Sequence, residues 1–404
     1  MMTPATSPSA TTTRPFLGYW PDPADEPTRV PGREPIALVT PDGAIIRGIL
    51  WTPPGGAPWH SAVVMSHPRG DFSVHYACPL LADAGYAVFG FATRYVNNDI
   101  DCLHENCVTD VQTAVGEMRR RGAESVVLLG NCGGGSLMAL SQSASSQQGE
   151  MFGDALITLA AHLGEGMFMQ YVIDPSVTDE HDPLSVDPEL DMYNPDNGWK
   201  PWPNPSTYDR AWLRRYRAAQ LERIGRIDAQ ANDSLDNRRD AKARLGPLDR
   251  STSAWSATRR QAVVVRYLTV YRTLADPAYL DPSIDPDDRV LGTVFAAPDP
   301  LDGNYGYGGL ARTMTARGWL STWSSLSSHA KLVDTMPKVK IPTLIVHPTG
   351  DTEIRLWQAE AIRDAAGAQD VTYETITGAP HYLDGFRREA FDVIIGWMRD
   401  RGFQ

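Results

Sequence analysis

Apolar positions along this chain fall into two well-patterned stretches separated by a long one without a clear period. Residues 35–40 and 45–51 are apolar runs flanking Pro41-Asp42-Gly43, a turn sequence, and predict a β-hairpin. Residues 61–66 (SAVVMS) are a short strand-like run ended by His67-Pro68-Arg69-Gly70. Residues 76–84 read as a helix and 86–92 (YAVFGFA) as the next strand. Val108, Val111, Val115 and Met118 recur at alternating steps of three and four, the stripe of an amphipathic helix. Residues 125–129 (SVVLL) predict a strand that runs into a glycine cluster and an apolar helix from Ser136, and 154–161 predict another strand. The pattern then fades for about 170 residues. It returns as a strand at 341–347 (IPTLIVH), a helix over 354–366, a strand at 371–376, and a last helix with Phe391, Ile394, Ile395 and Met398 on one face.

Apolar strands alternating with helices argue for an α/β protein whose mostly parallel sheet is covered on both faces. The sheet domain is expected to be split, roughly 35–163 and 336–404, with an insertion over 164–335. A length of 404 residues agrees, because a single core stops growing near ~250–300 residues. Residues 1–34 are polar and Pro-rich and predict a disordered or extended segment without the apolar stretch of a secretory leader. Four cysteines exclude a disulfide-stapled module and, with no leader, favour a cytoplasmic protein with reduced thiols. The net charge of −12 argues against nucleic-acid binding, and no apolar run approaches the ~18–20 residues of a membrane span. Within this acidic chain, residues 210–272 carry 14 Arg and one Lys against six acids, and 174–196 carry eight acids and no Lys or Arg. The two segments are expected to pack on each other or to form solvated faces; the sharper alternative is a positive wall for an anionic substrate group.

The densest information lies at Val127-Leu128-Leu129-Gly130-Asn131-Cys132-Gly133-Gly134-Gly135-Ser136. A strand entering G-x-C-x-G and then a helix raises the central side chain on a strained turn, with Gly130 and Gly134 supplying room. The helix N-terminus lowers the pKa of a thiol placed beside it, and the Gly133 N–H is aimed at a developing oxyanion. Ser136 lies a turn further in and faces away. G-x-x-x-x-G-K-[ST] fails because no Lys follows the glycines. Asp351 follows the strand 341–347, and His381, in Gly378-Ala379-Pro380-His381, follows the final strand. The order Cys132, Asp351, His381, each past a strand end, is that of a nucleophile–acid–base triad. His67-Pro68-Arg69-Gly70 stands where a second oxyanion donor belongs; Pro68 has no N–H, which leaves the backbone of Arg69.

On these motifs the sequence resembles the α/β-hydrolase superfamily over about 200 residues in its two flanking stretches. The resemblance implies the α/β-hydrolase fold, with the insertion as a large, mainly helical cap. It implies Cys132 as nucleophile, His381 as base and Asp351 as orienting acid, a combination similar to dienelactone hydrolases, which cleave lactones and esters. The long cap and the N-terminal extension depart from that family. The expected activity is hydrolysis of an ester, lactone or thioester of a medium-sized apolar or aromatic small-molecule substrate, with no cofactor and no metal. Alternatives are C–C bond hydrolysis or acyl transfer on the same fold, and a non-catalytic binding protein. Most cap aromatics are expected to be packing; Trp199, Trp202, Tyr305 and Tyr307, in turn-rich stretches, are candidates to line the substrate pocket. Self-association into a homo-oligomer is left open.

Overall fold

In this computed structural model the described residues are 18–404, apart from 26, 97, 149–152 and 296–298; the first seventeen residues of the expected tail lie outside them. The strands are β1 (Gly32–Val39), β2 (Ile45–Thr52), β3 (Ser61–Met65), β4 (Ala87–Ala92), β5 (Ser125–Asn131), β6 (Ala155–Leu159), β7 (Tyr267–Thr269), β8 (Thr313–Thr315), β9 (Thr343–Pro348) and β10 (Val371–Ile376). Eight of them form one sheet in the order β1-β2-β4-β3-β5-β6-β9-β10, with β7 and β8 a separate pair. Only β1–β2 and β2–β4 are antiparallel in the large sheet; the rest is parallel. The hairpin turn closes with the Thr40 N–H donating to Ala44 O and the Gly43 N–H to Thr40 O, both at 2.9 Å.

The central strands β3, β4, β6 and β9 are buried at every residue, as continuous apolar runs in a doubly covered parallel sheet must be. Side chains alternate between two cores. Val64, Phe89 and Leu128 face the helix His104–Arg120, which delivers Val111, Val115 and Met118. Val63, Val88, Val127 and Leu129 face the C-terminal helix Arg387–Asp400, which delivers Phe391, Ile394 and Met398. Strands β1 and β10 are the more exposed edges.

The stretch between β6 and β9 holds a third apolar cluster of its own. Its main element is a helix, Arg210–Arg244, in a region where no period is obvious in the sequence. The stripe exists, at Trp212, Tyr216, Ala219, Ile224, Ile227 and Ala231, but buried Gln220, Arg223, Asp228 and Ser234 interrupt it. Arg223 is fully buried between the Glu180 carboxylate, at 2.8 and 2.6 Å, and the carbonyls of Asp174 and Tyr271. The basic segment thus packs on the acidic one, and none of its arginines lines the cavity at Cys132.

Candidate active site

Strand β5 delivers Cys132 to the head of the helix Gly133–Gln148. Its φ of 54° is left-handed, a conformation that a side chain larger than glycine adopts at a cost. The neighbours hold it there. The Cys132 N–H donates to Leu159 O at 3.0 Å. The Asn131 amide donates to the same carbonyl at 2.7 Å, and its Oδ1 lies 3.0 Å from His75 Nε2 and accepts from Tyr76 Oη at 3.1 Å. A Cβ on Gly130 would stand 2.3 Å from Gly134 O, and one on Gly134 2.4 Å from Ser66 O, so both glycines are required for space. Ser136 is buried and donates to Gly133 O at 2.9 Å, away from the cavity.

His381 and Asp351 meet as their places past β10 and β9 suggest. His381 Nδ1 lies 2.7 Å from Asp351 Oδ2, and both are buried. Asp351 Oδ1 accepts the N–H groups of Glu353 and Ile354 at 2.7 and 3.1 Å, which fixes the carboxylate. His381 Nε2 is buried, has no hydrogen-bond partner, and belongs to a ring lining the same small cavity as Cys132. Burial alone would raise the Cys132 thiol; His381 and then His162 reverse this and hold it well below the ordinary range. Burial would lower His381, but Asp351 and Cys132 hold it well above its ordinary value. The other three cysteines are buried, and burial raises Cys78 and Cys107.

His162 was not singled out by the sequence reading, yet it carries the signal that picked out His381: a histidine just past a strand end, here β6. It faces Glu165, at 3.8 Å, and its Nδ1 accepts the Gly164 N–H at 3.1 Å, which leaves the ring proton on Nε2. Burial would push the Glu165 carboxyl up; Arg69, with His162 and His67, outweighs it and keeps the group ionised. The Arg69 guanidinium lies 3.4 Å from Glu165 and stacks on Trp323 at 4.5 Å. Tyr19, from the N-terminal segment, packs its ring on His75 and Tyr382 at 5.1 and 4.8 Å, and its carbonyl accepts the Tyr76 N–H at 2.9 Å.

Two expectations are corrected by this geometry. The Arg69 N–H does not point into an open oxyanion position; it donates to His67 Nδ1 at 3.2 Å, because the turn after β3 folds back on its own histidine. Nor do Trp199, Trp202, Tyr305 or Tyr307 line the cavity. Trp199 and Trp202 pack against the cap cluster, Tyr305 accepts from Arg272 at 2.7 Å, and Tyr307 is 103% exposed. The apolar wall comes instead from Phe168, Phe295, Leu310 and Ile354. Space open to the centre of a water molecule is about 20 Å³, room for a water or two. Among the described residues no group of three or more His, Cys, Asp or Glu could hold a metal ion, and no helix is long and apolar enough to cross a membrane.

No protein-family model and no curated relative matches the sequence. Solved structures do match in three dimensions. A hypothetical protein of Pseudomonas aeruginosa aligns with a TM-score of 0.52 at 14% identity, over 93% of this chain and 96% of that one. The α/β hydrolase GrgF from Penicillium sp. sh18 aligns at 0.52 and 12%, over 91% and 98%. DcsB, solved in complex with a substrate analogue, aligns at 0.51 and 12%, over 91% and 99%. The chain has the α/β-hydrolase fold. In that fold the eight-stranded sheet carries Cys132, Asp351 and His381 at the C-terminal ends of β5, β9 and β10, and the insertion between β6 and β9 is a helical cap over them.

Proposed function

We propose that this α/β-hydrolase-fold protein is an acyl hydrolase that cleaves an ester, lactone or thioester through a covalent Cys132 thioester. The observation that carries the reading is the Asp351–His381 pair at 2.7 Å, with the free Nε2 edge of the imidazole lining the cavity that Cys132 enters. His381 Nε2 takes the thiol proton, and Asp351 holds the ring in the tautomer that makes this possible. The thiolate sulfur bonds to the substrate carbonyl carbon and the carbonyl electrons move to oxygen. The tetrahedral adduct then collapses, the leaving group takes the proton from His381, and water repeats the sequence to release the acid. The Gly133 N–H, at the first residue of its helix, has no intrahelical acceptor and is one donor to the oxyanion.

Phe168, Phe295, Leu310 and Ile354 support an apolar or aromatic acyl group. The cavity is too small for such a group as it stands, so the cap must move to admit substrate. The test is turnover of aryl esters and lactones by the native protein and by Cys132→Ala. Turnover is expected to disappear in the variant; retained turnover would remove Cys132 from the nucleophile's role.

A further inference from the structure

An oxyanion hole needs two donors, and the backbone supplies only one of them here. The Arg69 N–H, in the second donor's place after β3, is spent on His67 Nδ1 at 3.2 Å. The Gly70 N–H is spent on the same atom at 3.0 Å. A ring nitrogen that accepts two amide hydrogens carries no proton of its own, so the His67 proton sits on Nε2. That nitrogen lies over the elbow: a Cβ placed on Gly133 would stand 2.8 Å from it. The ring is 6% exposed and lines the cavity with Cys132 and His381. Glu165 Oε1 is the nearest acidic oxygen, at 3.8 Å, too far to hold the Nε2 hydrogen, and it is paired with Arg69.

We propose that the His67 Nε2–H is the second oxyanion donor, acting with the Gly133 N–H on the tetrahedral intermediate formed at Cys132. This rests on Cys132 being the nucleophile. When the sulfur–carbon bond forms and the carbonyl electron pair moves to oxygen, the new charge falls between Gly133 and His67. The two backbone amides on Nδ1 fix the tautomer and the ring plane in advance, so no reorganisation is needed as the charge develops.

His67→Asn separates this role from a structural one. The Asn carbonyl can still accept the Arg69 and Gly70 amides, as Asx turns do, whereas the Nε2 donor is gone. For an aryl ester, kcat is expected to fall by ~10²–10³ with KM within about threefold, the loss typical of one oxyanion donor. Affinity for a trifluoromethyl ketone, whose adduct on the thiol is a tetrahedral oxyanion, should fall by a similar factor. Alkylation of Cys132 by iodoacetamide, which forms no oxyanion, should hold within about twofold. Unchanged kcat, unchanged ketone affinity, or alkylation that falls in step with kcat would each overturn the proposal. A crystal structure of the native ketone adduct tests it without any variant: an adduct oxygen within ~2.6–3.1 Å of His67 Nε2 supports it, and one beyond ~3.5 Å overturns it. Loss of turnover in Cys132→Ala with none in His67→Asn would sink this proposal alone; turnover kept in Cys132→Ala would sink the nucleophile reading beneath it.

Discussion

Replacing His381 by Gln should make Cys132 an ordinary thiol, and the change should show in the pH dependence of its labelling. Burial opposes ionisation of this thiol, and His381 is the largest influence reversing it, with His162 second. An unperturbed cysteine, near 8.5, is ~3% thiolate at pH 7 and ~0.3% at pH 6. Each unit by which a site lowers that value multiplies the thiolate fraction tenfold in this range. It also costs about threefold in intrinsic nucleophilicity, for a Brønsted slope of ~0.4–0.5, so the net gain is only about threefold per unit. The position of the pH profile is therefore a better readout than a single rate. The lowered thiol loses its thiolate as pH falls through its own value; the raised imidazole loses its proton as pH rises through its own. With the thiol lowered and the imidazole raised, a thiolate–imidazolium pair is the expected form in the interval between them, and alkylation should plateau there. The assay is the second-order rate of iodoacetamide labelling from pH 5 to 9, mapped by peptide mass. Cys132 should react first, since Cys78, Cys102 and Cys107 are buried and it is only half-buried. His381→Gln should move the midpoint up and slow labelling most at pH 6, and His162→Gln should do the same less strongly. A native profile centred near ~8.5 that neither variant moves would refute the reasoning.

Three other outcomes are expected. Asp351→Asn keeps the fold but offers His381 the wrong hydrogen-bond partner, and kcat should drop by on the order of 10⁴, as in serine triads; a drop under tenfold would mean that Asp351 does not orient the base. Glu353 joins core to cap by accepting from Tyr279 Oη, Thr293 Oγ1 and the Val294 N–H at 2.7, 2.6 and 2.7 Å, so Glu353→Ala should loosen the closed cap. The check is whether a bulky maleimide gains on iodoacetamide in labelling Cys132, and an unchanged ratio would count against a latch. Arg223→Ala leaves Glu180 and two carbonyls without their buried cation, and should cost ~3–5 kcal/mol, read as a lower urea midpoint; a change within ~0.5 kcal/mol would contradict the accounting.

The parts of the molecule that were legible in its sequence are those where burial and apolarity coincide. Strands β3, β4, β6 and β9 are buried throughout and read as apolar runs, and Cys132, Asp351 and His381 stand out because each follows the end of a strand, β5, β9 and β10 in turn. The helix Arg210–Arg244 was illegible because its inner face is partly polar. Gln220 donates to the carbonyls of Tyr171 and Ile173, and Asp228 accepts from Trp319 and from Ser324 and Ser327, so these buried polar groups are matched mainly by residues far along the chain. The same cause hid half of the site. Glu165 and His162 are unremarkable residues in sequence, and His67 and Arg69 stand out there only as parts of a turn; what the four side chains do depends on one another. Arg69 neutralises Glu165, and Glu165 stands near both imidazoles without taking their hydrogens. His67 accepts two backbone amides on Nδ1 and His162 one, and both rings line the cavity at Cys132. A turn that folds its amides onto a histidine ring rather than into the cavity cannot be read from His67-Pro68-Arg69-Gly70. The backbone donor expected from those four residues and the side-chain donor proposed from the structure are alternative uses of the same turn.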